Sequence, residues 1–223
     1  DRLDLDVGFA GMAESAIGLD GHFLTWQPGA HPTPVDPELA WELPPKVDLI
    51  IQAHLRPTGK PEPVQASVAF YFSPSAPKRK GFKVLLTSRS IDIPAGDDAY
   101  SVHDTYTLPV DVEIREVLPH AHYLARAMRG WATLPSGKEL PLIEIGQWDF
   151  SWQGHYKYKK PIDVPSGTEL SMHWVFDNSD DNPDNPFFPA RRVFFGPQSS
   201  DEMAELWLQV VPKNPEELVV LEA

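Results

Sequence analysis

The chain contains no cysteine among its 223 residues. This absence excludes disulfide bonds, thiolate metal sites and cysteine nucleophiles, but it leaves the compartment open because exported proteins also lack cysteine in many cases. No apolar run reaches the roughly 18 residues that a membrane span needs, so the sequence predicts no transmembrane segment. The GxSxG, P-loop and HExxH patterns are also absent, which removes the commonest hydrolase and nucleotide-binding signatures.

Positive charge is scarce as well. Lysine and arginine number 19 against 32 aspartates and glutamates, for a formal net charge of -13. Nucleic acids and anionic lipids both require a basic face, so this balance argues against either as a partner. Cations and basic protein surfaces suit the chain better. Paired loop carboxylates such as Asp180 and Asp181 leave calcium open, although they lack EF-hand spacing.

Turn-forming residues are plentiful and evenly spread. The 24 prolines and 14 glycines divide the chain into short runs, which favours strands and turns over helices. The 42% hydrophobic content is enough for a packed core, and neither a helical period nor a coiled-coil heptad is evident. We therefore expect an all-β protein with two tandem antiparallel β-sandwich domains.

Hydrophobic alternation predicts a strand pair in the first part of the chain. Residues 46–55 alternate between apolar and polar side chains, and residues 64–72 resume the period of two after a turn at 56–61. In this arrangement His54 faces away from the core. We place the first domain at 1–88, the second at 89–212, and an acidic tail at 213–223.

The strand that begins near Val110 leads to His120 and His122, and its alternation leaves two arrangements open. Uninterrupted alternation puts both histidines on the face of the aliphatic residues that precede them. A β-bulge near Glu116 instead turns them to the opposite face. The last strand, residues 204–210, directs Leu206, Leu208 and Val210 one way, and the polar side includes Met203, Glu205 and Trp207.

His120, His122 and Met203 form a candidate metal-ligand set. Residues two apart on a strand point the same way with α-carbons roughly 6 to 7 Å apart, so both imidazoles can face one ion. A thioether as third ligand favours copper over zinc, which takes cysteine, histidine and carboxylate. An HxH pair alone is a weak signal, but a methionine on the polar side of a strand calls for a reason. For His54, a solvated surface histidine is the simpler interpretation unless a partner ligand exists.

Seven stretches, in the same order, resemble the copper type II, ascorbate-dependent monooxygenases, the family of the peptidylglycine and dopamine hydroxylating enzymes, and especially their bacterial relatives. The resemblance extends over most of the chain and implies two jelly-roll-like sandwiches with one copper in each, across an open cleft. The matching stretches are 26–29 (WQPG), 49–60 (LIIQAHLRPTGK), 93–96 (IPAG), 119–124 (PHAHYL), 148–153 (WDFSWQ), 177–186 (DNSDDNPDNP) and 198–203 (QSSDEM).

The resemblance implies roles for the candidate ligands. His120, His122 and Met203 match the ligands of the copper that binds and activates oxygen, and His54 matches a ligand of a second, electron-supplying copper. That second site also needs a His-His pair from an earlier strand, and this sequence contains no adjacent histidines. Ascorbate or another external donor is the implied reductant, and a periplasmic or extracellular location is implied by the family.

The missing histidine pair has two explanations: it lies upstream in a longer polypeptide, or the second site is lost. The chain starts at Asp1 without a methionine or signal peptide, so we expect a processed product or a fragment. Residues 1–88 match only the later part of the family's first domain, and half a sandwich exposes a sheet edge and an apolar face. We therefore expect missing chain or a protein partner to cover that domain.

The expected substrate pocket departs from the peptide-amidating enzyme. In that enzyme an arginine two residues before the first histidine and a tyrosine four after the methionine hold the substrate carboxylate. Leu118 and Trp207 occupy these positions here, beside Glu205. Without the cation the carboxylate loses its anchor, which argues against peptide amidation and implies a more apolar substrate, or none.

Two functions remain open from the sequence. The first is a copper-dependent monooxygenase-like protein that hydroxylates a C–H bond with oxygen and an external reductant. The second is a catalytically inactive relative that serves as an accessory structural subunit of a larger periplasmic or membrane-bound complex.

Overall fold

The computed structural model describes residues 21–26, 30, 36–47, 49–53, 55 and 58–223. A 3-10 turn at Pro37–Leu39 precedes the strands, and a second at Pro215–Glu217 leads into the short helix α1, Leu218–Glu222. Between them lie β1 (Phe82–Thr87), β2 (Asp92–Ile93), β3 (Tyr100–Thr107), β4 (Val112–Ala121), β5 (Ala125–Thr133), β6 (Glu139–Ile145), β7 (Tyr156–Val164), β8 (Glu169–Phe176), β9 (Val193–Phe194) and β10 (Ala204–Pro212).

Two four-stranded antiparallel sheets form the sandwich. The first sheet has the order β1-β10-β4-β7 and the second the order β3-β8-β5-β6, while β2 and β9 form a small separate pair. Gly130 of β5 lies directly against Leu206 of β10. A Cβ at Gly130 would come within 2.6 Å of the Leu206 side chain, so a larger residue would not fit there. This close approach packs the sheets face to face and confirms the expected all-β sandwich.

Strands β8 and β10 supply much of the core, as their alternation predicts. On β8, every second residue from Leu170 to Phe176 is buried, and on β10 Leu206 and Leu208 are also fully buried. Met128 and Met172 belong to the same core cluster.

A β-bulge in β4 decides where the histidines point. Val112 and Ile114 are buried, but the next buried residue is Val117, so the period of two is interrupted. The ladder to β7 shifts register between Ile114 and Glu116, and the ladder to β10 shifts at the same level. The second of the two predicted arrangements is therefore confirmed: His120 faces away from the core.

Among the described residues, the strand pair predicted at 46–55 and 64–72 is absent. No described residue of either stretch lies in a strand, and their large apolar side chains are exposed. Alternation produces a strand only where a neighbouring strand accepts its backbone hydrogen bonds, and no described residue does so here. His54 lies outside the described residues. The exposed side chains are Leu43, Val47, Leu49, Ile50, Ile51, Leu55, Val64, Val68, Phe70, Tyr71 and Phe72.

The sandwich begins before the boundary expected near residue 89. Strand β1 pairs with β10 along its whole length, from Phe82 opposite Val210 to Thr87 opposite Glu205. It therefore forms an edge of the same sheet that carries His120.

The acidic tail folds back on the sandwich. Leu221 of α1 is only 5% exposed and belongs to the core cluster, and Asn214 caps the turn that precedes the helix by accepting the N–H of Glu216. The apolar side chains between the acidic residues give this segment a buried face. Among the described residues, no helix is long and apolar enough to cross a bilayer.

Candidate metal centre

His120 and His122 lie at the end of β4 with their rings close together. The ring centroids are 5.2 Å apart and the planes are inclined by 84°. His122 is buried at 4% exposure, and His120 is half-buried. Ala121 between them is fully buried in the core, so the two histidines occupy the outer side of the first sheet.

Hydrogen bonds determine which nitrogen of each ring carries the proton. Nδ1 of His122 lies 3.0 Å from the carbonyl oxygen of Asp201, which can only accept, so Nδ1 is the donor. Nδ1 of His120 lies 2.6 Å from Oε1 of Gln153, and the Nε2 group of that amide donates to the carbonyl of Phe150 at 2.7 Å. This second bond orients the amide so that its oxygen faces His120. In the neutral rings, Nε2 is therefore the nitrogen with the lone pair.

Met203 lies beside His122. The β4–β10 ladder pairs Glu205 with His120 and ends with Ala204 opposite Ala121, so His122 and Met203 are the residues next to its last pair. Met203 is half-buried and is not a member of the core cluster, in contrast to Met128. The third predicted ligand is thus not one of the aliphatic side chains of the core cluster.

A buried carboxyl group joins the two ligand segments. Oε2 of Glu202 accepts the backbone N–H of His122 at 2.9 Å and that of Met203 at 3.1 Å, and Oε1 accepts that of Leu124 at 2.6 Å. Burial raises the pKa of Glu202 to about 8, against the opposite influence of the three N–H groups. Glu202 therefore holds the turn after β4 against the start of β10.

The loop between β6 and β7, residues 146–155, contacts both histidines. Trp148 donates its indole N–H to the carbonyl of His122 at 3.1 Å, and Gln153 accepts from the ring of His120. The ring of Phe150 packs against Tyr123 with centroids 4.3 Å apart and meets His122 edge-on at 6.1 Å. The loop thus places the ring of Phe150 next to His122.

Sequence reasoning gave no role to Trp148, Gln153 or Glu202. All three belong to stretches 148–153 and 198–203, which carry the family resemblance. The resemblance marked these positions, but only the hydrogen bonds show what they do. The periodicity of the flanking strands contains no such signal.

The predicted pocket residues lie side by side next to His120. Trp207 is directly opposite Leu118 and Glu205 directly opposite His120 in the ladder. The indole N–H of Trp207 donates to Oε2 of Glu205 at 2.8 Å, and Nζ of Lys83 lies 5.9 Å from the Trp207 ring. Leu118, Glu205 and Trp207 are half-buried, so they offer a mixed surface with one apolar side chain, one indole and one carboxylate.

The donor set at this centre fits copper better than a hard cation. Two imidazole nitrogens and a thioether are soft or borderline ligands, which suit copper. Within the described part of the chain, no three histidine, aspartate or glutamate side chains are grouped to hold a metal ion. A metal at His120 and His122 would thus need a ligand of another kind, and Met203 is the residue that the sequence predicts for this role.

Comparisons with known proteins assign no family. No family model matches the chain, and no curated protein matches it. Solved structures that match include the T13 IBDV viral particle, with a TM-score of 0.29 and 7% sequence identity, over 70% of this chain and 36% of that one. The chain thus spans about a third of that relative's length, and a TM-score this low supports no assignment of function.

Proposed function

We propose that this chain binds one copper ion through Nε2 of His120, Nε2 of His122 and the thioether of Met203, as a monooxygenase-like protein of the periplasm or extracellular space. The main support is the arrangement of the two rings. Each Nδ1 faces an oxygen acceptor, so the proton of each neutral ring lies on Nδ1 and the ring nitrogen with a lone pair is Nε2. The backbone N–H groups of Met203 and His122 share one acceptor, which holds the main chains of the two proposed ligand segments together.

The chemistry that suits this ligand set is hydroxylation of a C–H bond. Bound copper supplies oxygen binding and one-electron chemistry, and a thioether ligand favours the Cu(I) form. One oxygen atom enters the C–H bond and the other leaves as water, so each turnover takes up two electrons and two protons from an external reductant such as ascorbate.

The chain's own residues suggest the nature of the substrate. Leu118 and Trp207 offer apolar surface beside His120, and no arginine stands two residues before it. A largely apolar C–H substrate fits this surface better than a peptide carboxylate does. The sequence has no adjacent histidines for a second copper, so this proposal assigns a single site.

Copper loading tests the proposal directly. We expect one copper per chain in the wild-type protein and none at this site in a His120→Ala, His122→Ala double variant. His103→Ala is the matched control, because His103 lies on the opposite sheet and is exposed. A wild-type protein that stays metal-free after loading would overturn the proposal, and ascorbate-dependent oxygen uptake by the loaded protein tests its catalytic part.

A second candidate is the accessory, non-catalytic subunit. The observation in its favour is the row of exposed apolar side chains between residues 43 and 72, which exceeds the scattered single exposures of ordinary surfaces. Native mass spectrometry of the protein from its own cells would show a defined stoichiometric complex if this candidate holds. A copper-loaded monomer with oxygen uptake would exclude it.

A further inference from the structure

We propose that Gln153 is a positioning residue that sets the tautomer and orientation of His120, so that Nε2 of that ring faces the metal position. This inference deepens the proposed function. It rests on that function only in the claim that Nε2 of His120 binds a metal. The hydrogen bond itself is a property of the metal-free protein.

The geometry makes Gln153 an acceptor toward the ring. Its Oε1 lies 2.6 Å from Nδ1 of His120, and its Nε2 is committed to the carbonyl of Phe150 at 2.7 Å. Rotating the amide by 180° would place its oxygen against the carbonyl oxygen of Phe150, so the observed orientation is the stable one. An acceptor held in place this way requires the proton on Nδ1.

The loop holds Gln153 in place through contacts to the same strand end. Trp148 binds the carbonyl of His122 through its indole, and its backbone N–H donates to the carbonyl of Arg126 at 2.8 Å. Phe150, whose carbonyl accepts from the Gln153 amide, packs against Tyr123 with the two rings tilted by 42°. The loop that carries the acceptor for His120 is therefore held by the carbonyls of His122 and Arg126 and by the ring of Tyr123.

The consequence for the ring follows from imidazole chemistry. A free histidine side chain favours the tautomer with the proton on Nε2, which would block that nitrogen as a ligand. Asp201 overrides this preference at His122 with a main-chain carbonyl, which no substitution of that side chain removes. The acceptor for His120 is instead a side chain, so a substitution of Gln153 can remove it.

The first test uses the metal-free protein. Long-range proton–nitrogen NMR correlations on ¹⁵N-histidine protein report which ring nitrogen is protonated. We expect the Nδ1–H tautomer at His120 in the wild type, a shift toward Nε2–H in Gln153→Leu, and retention of Nδ1–H in Gln153→Glu, which keeps an acceptor oxygen. Gln147→Leu is the matched control, an exposed glutamine of the same loop.

The second test measures copper itself. Loss of a ligand's hydrogen-bond partner lowers metal affinity by about 10- to 100-fold, so Gln153→Leu should weaken Cu(II) binding by that factor and Gln153→Glu much less. Electron spin-echo envelope modulation of the Cu(II) form should also show a changed quadrupole coupling of the remote imidazole nitrogen in Gln153→Leu.

The outcomes separate the two proposals. An Nε2–H tautomer at His120 in the wild type, or an unchanged tautomer in folded Gln153→Leu, overturns the role of Gln153. Wild-type protein that shows Nδ1–H but fails to take up copper supports that role and overturns the proposed function. If Gln153→Leu does not fold, Gln153→Glu decides: loss of Nδ1–H in that variant overturns the inference.

Discussion

His122 and Met203 donate their backbone N–H groups to the same oxygen atom, Oε2 of Glu202, at 2.9 and 3.1 Å. The two residues are far apart in sequence, and this shared acceptor holds their main chains side by side at one end of the first sheet. The position of the proposed sulfur ligand therefore depends on a buried carboxyl group that binds no metal itself.

Replacing Met203 tests the sulfur ligand. Met203→Leu keeps the volume and apolar character of the side chain but removes the soft donor, so we expect Cu(I) affinity to fall by roughly tenfold or more, about 1.4 kcal/mol, with the fold retained. Competition with a Cu(I) chelator measures the change. Met128→Leu, a core methionine, should leave it unaltered. Undiminished Cu(I) affinity in Met203→Leu would exclude the thioether as a ligand.

Replacing Glu202 tests the shared acceptor. In Glu202→Gln an amide N–H group must face a backbone N–H donor, and leaving a buried donor unsatisfied costs about 1 to 3 kcal/mol. Urea unfolding of the metal-free variant should show this loss of stability. Glu205→Gln is the control, because the amide oxygen can still accept from Trp207, and it should change stability by less than about 0.5 kcal/mol. Equal stability of the two variants would contradict the role of Glu202.

Glu113 makes the sandwich sensitive to acid. Burial by itself would raise the pKa of Glu113, but hydrogen bonds from Arg79 and Arg115 and the charges around it lower that pKa to about 2. Because the folded-state pKa is below the unfolded one, the stabilisation is complete above pH 4.5 and is lost as pH falls toward 2. It amounts to at most about 3 kcal/mol, less the part screened by solvent.

Urea unfolding between neutral and acidic pH measures this dependence. Glu113→Gln should lower stability at neutral pH and flatten the decline below pH 4.5. Asp98→Asn, an exposed carboxylate, should leave the profile unchanged. A wild-type slope that survives in Glu113→Gln would assign the acid sensitivity to other groups.

The C-terminal helix contributes to the core through Leu221. Leu221→Ala should destabilise the protein by about 2 kcal/mol or more, because it leaves a cavity at a side chain that is 5% exposed. Val219→Ala on the same helix is the control, since Val219 is 64% exposed and should change stability by less than about 0.5 kcal/mol. Similar stabilities for both variants, by thermal or urea unfolding, would show that the tail does not pack as described.

Alternation of side chains was sufficient to predict two central strands of the sandwich, β8 and β10. On β8 the run from Leu170 to Phe176 can bury one face only as a strand against a second sheet, and on β10 Leu206 and Leu208 do the same. The family resemblance likewise marked 148–153 and 198–203 as special. These predictions depend on local sequence patterns, which do not change with the tertiary structure.

The face on which His120 lies and the pairing of the first strands depended on neighbouring strands, which the local sequence pattern does not identify. Alternation allowed both faces for His120, and the bulge before Val117 decided between them, because β4 must match the register of β7 and β10 at once. The strands expected at 46–55 and 64–72 have the right period, but no described residue pairs with them.

The sequence by itself determined the all-β class and core strands such as β8 and β10, and it supplied the candidate ligands. Only the tertiary structure decided the face on which the histidines lie, the proton position on each ring and the place of Met203. The reason is physical: burial periodicity is a property of one segment, whereas a hydrogen bond such as that of His120 to Gln153 joins separate elements. Such a bond exists only after the sheets have set the register between them.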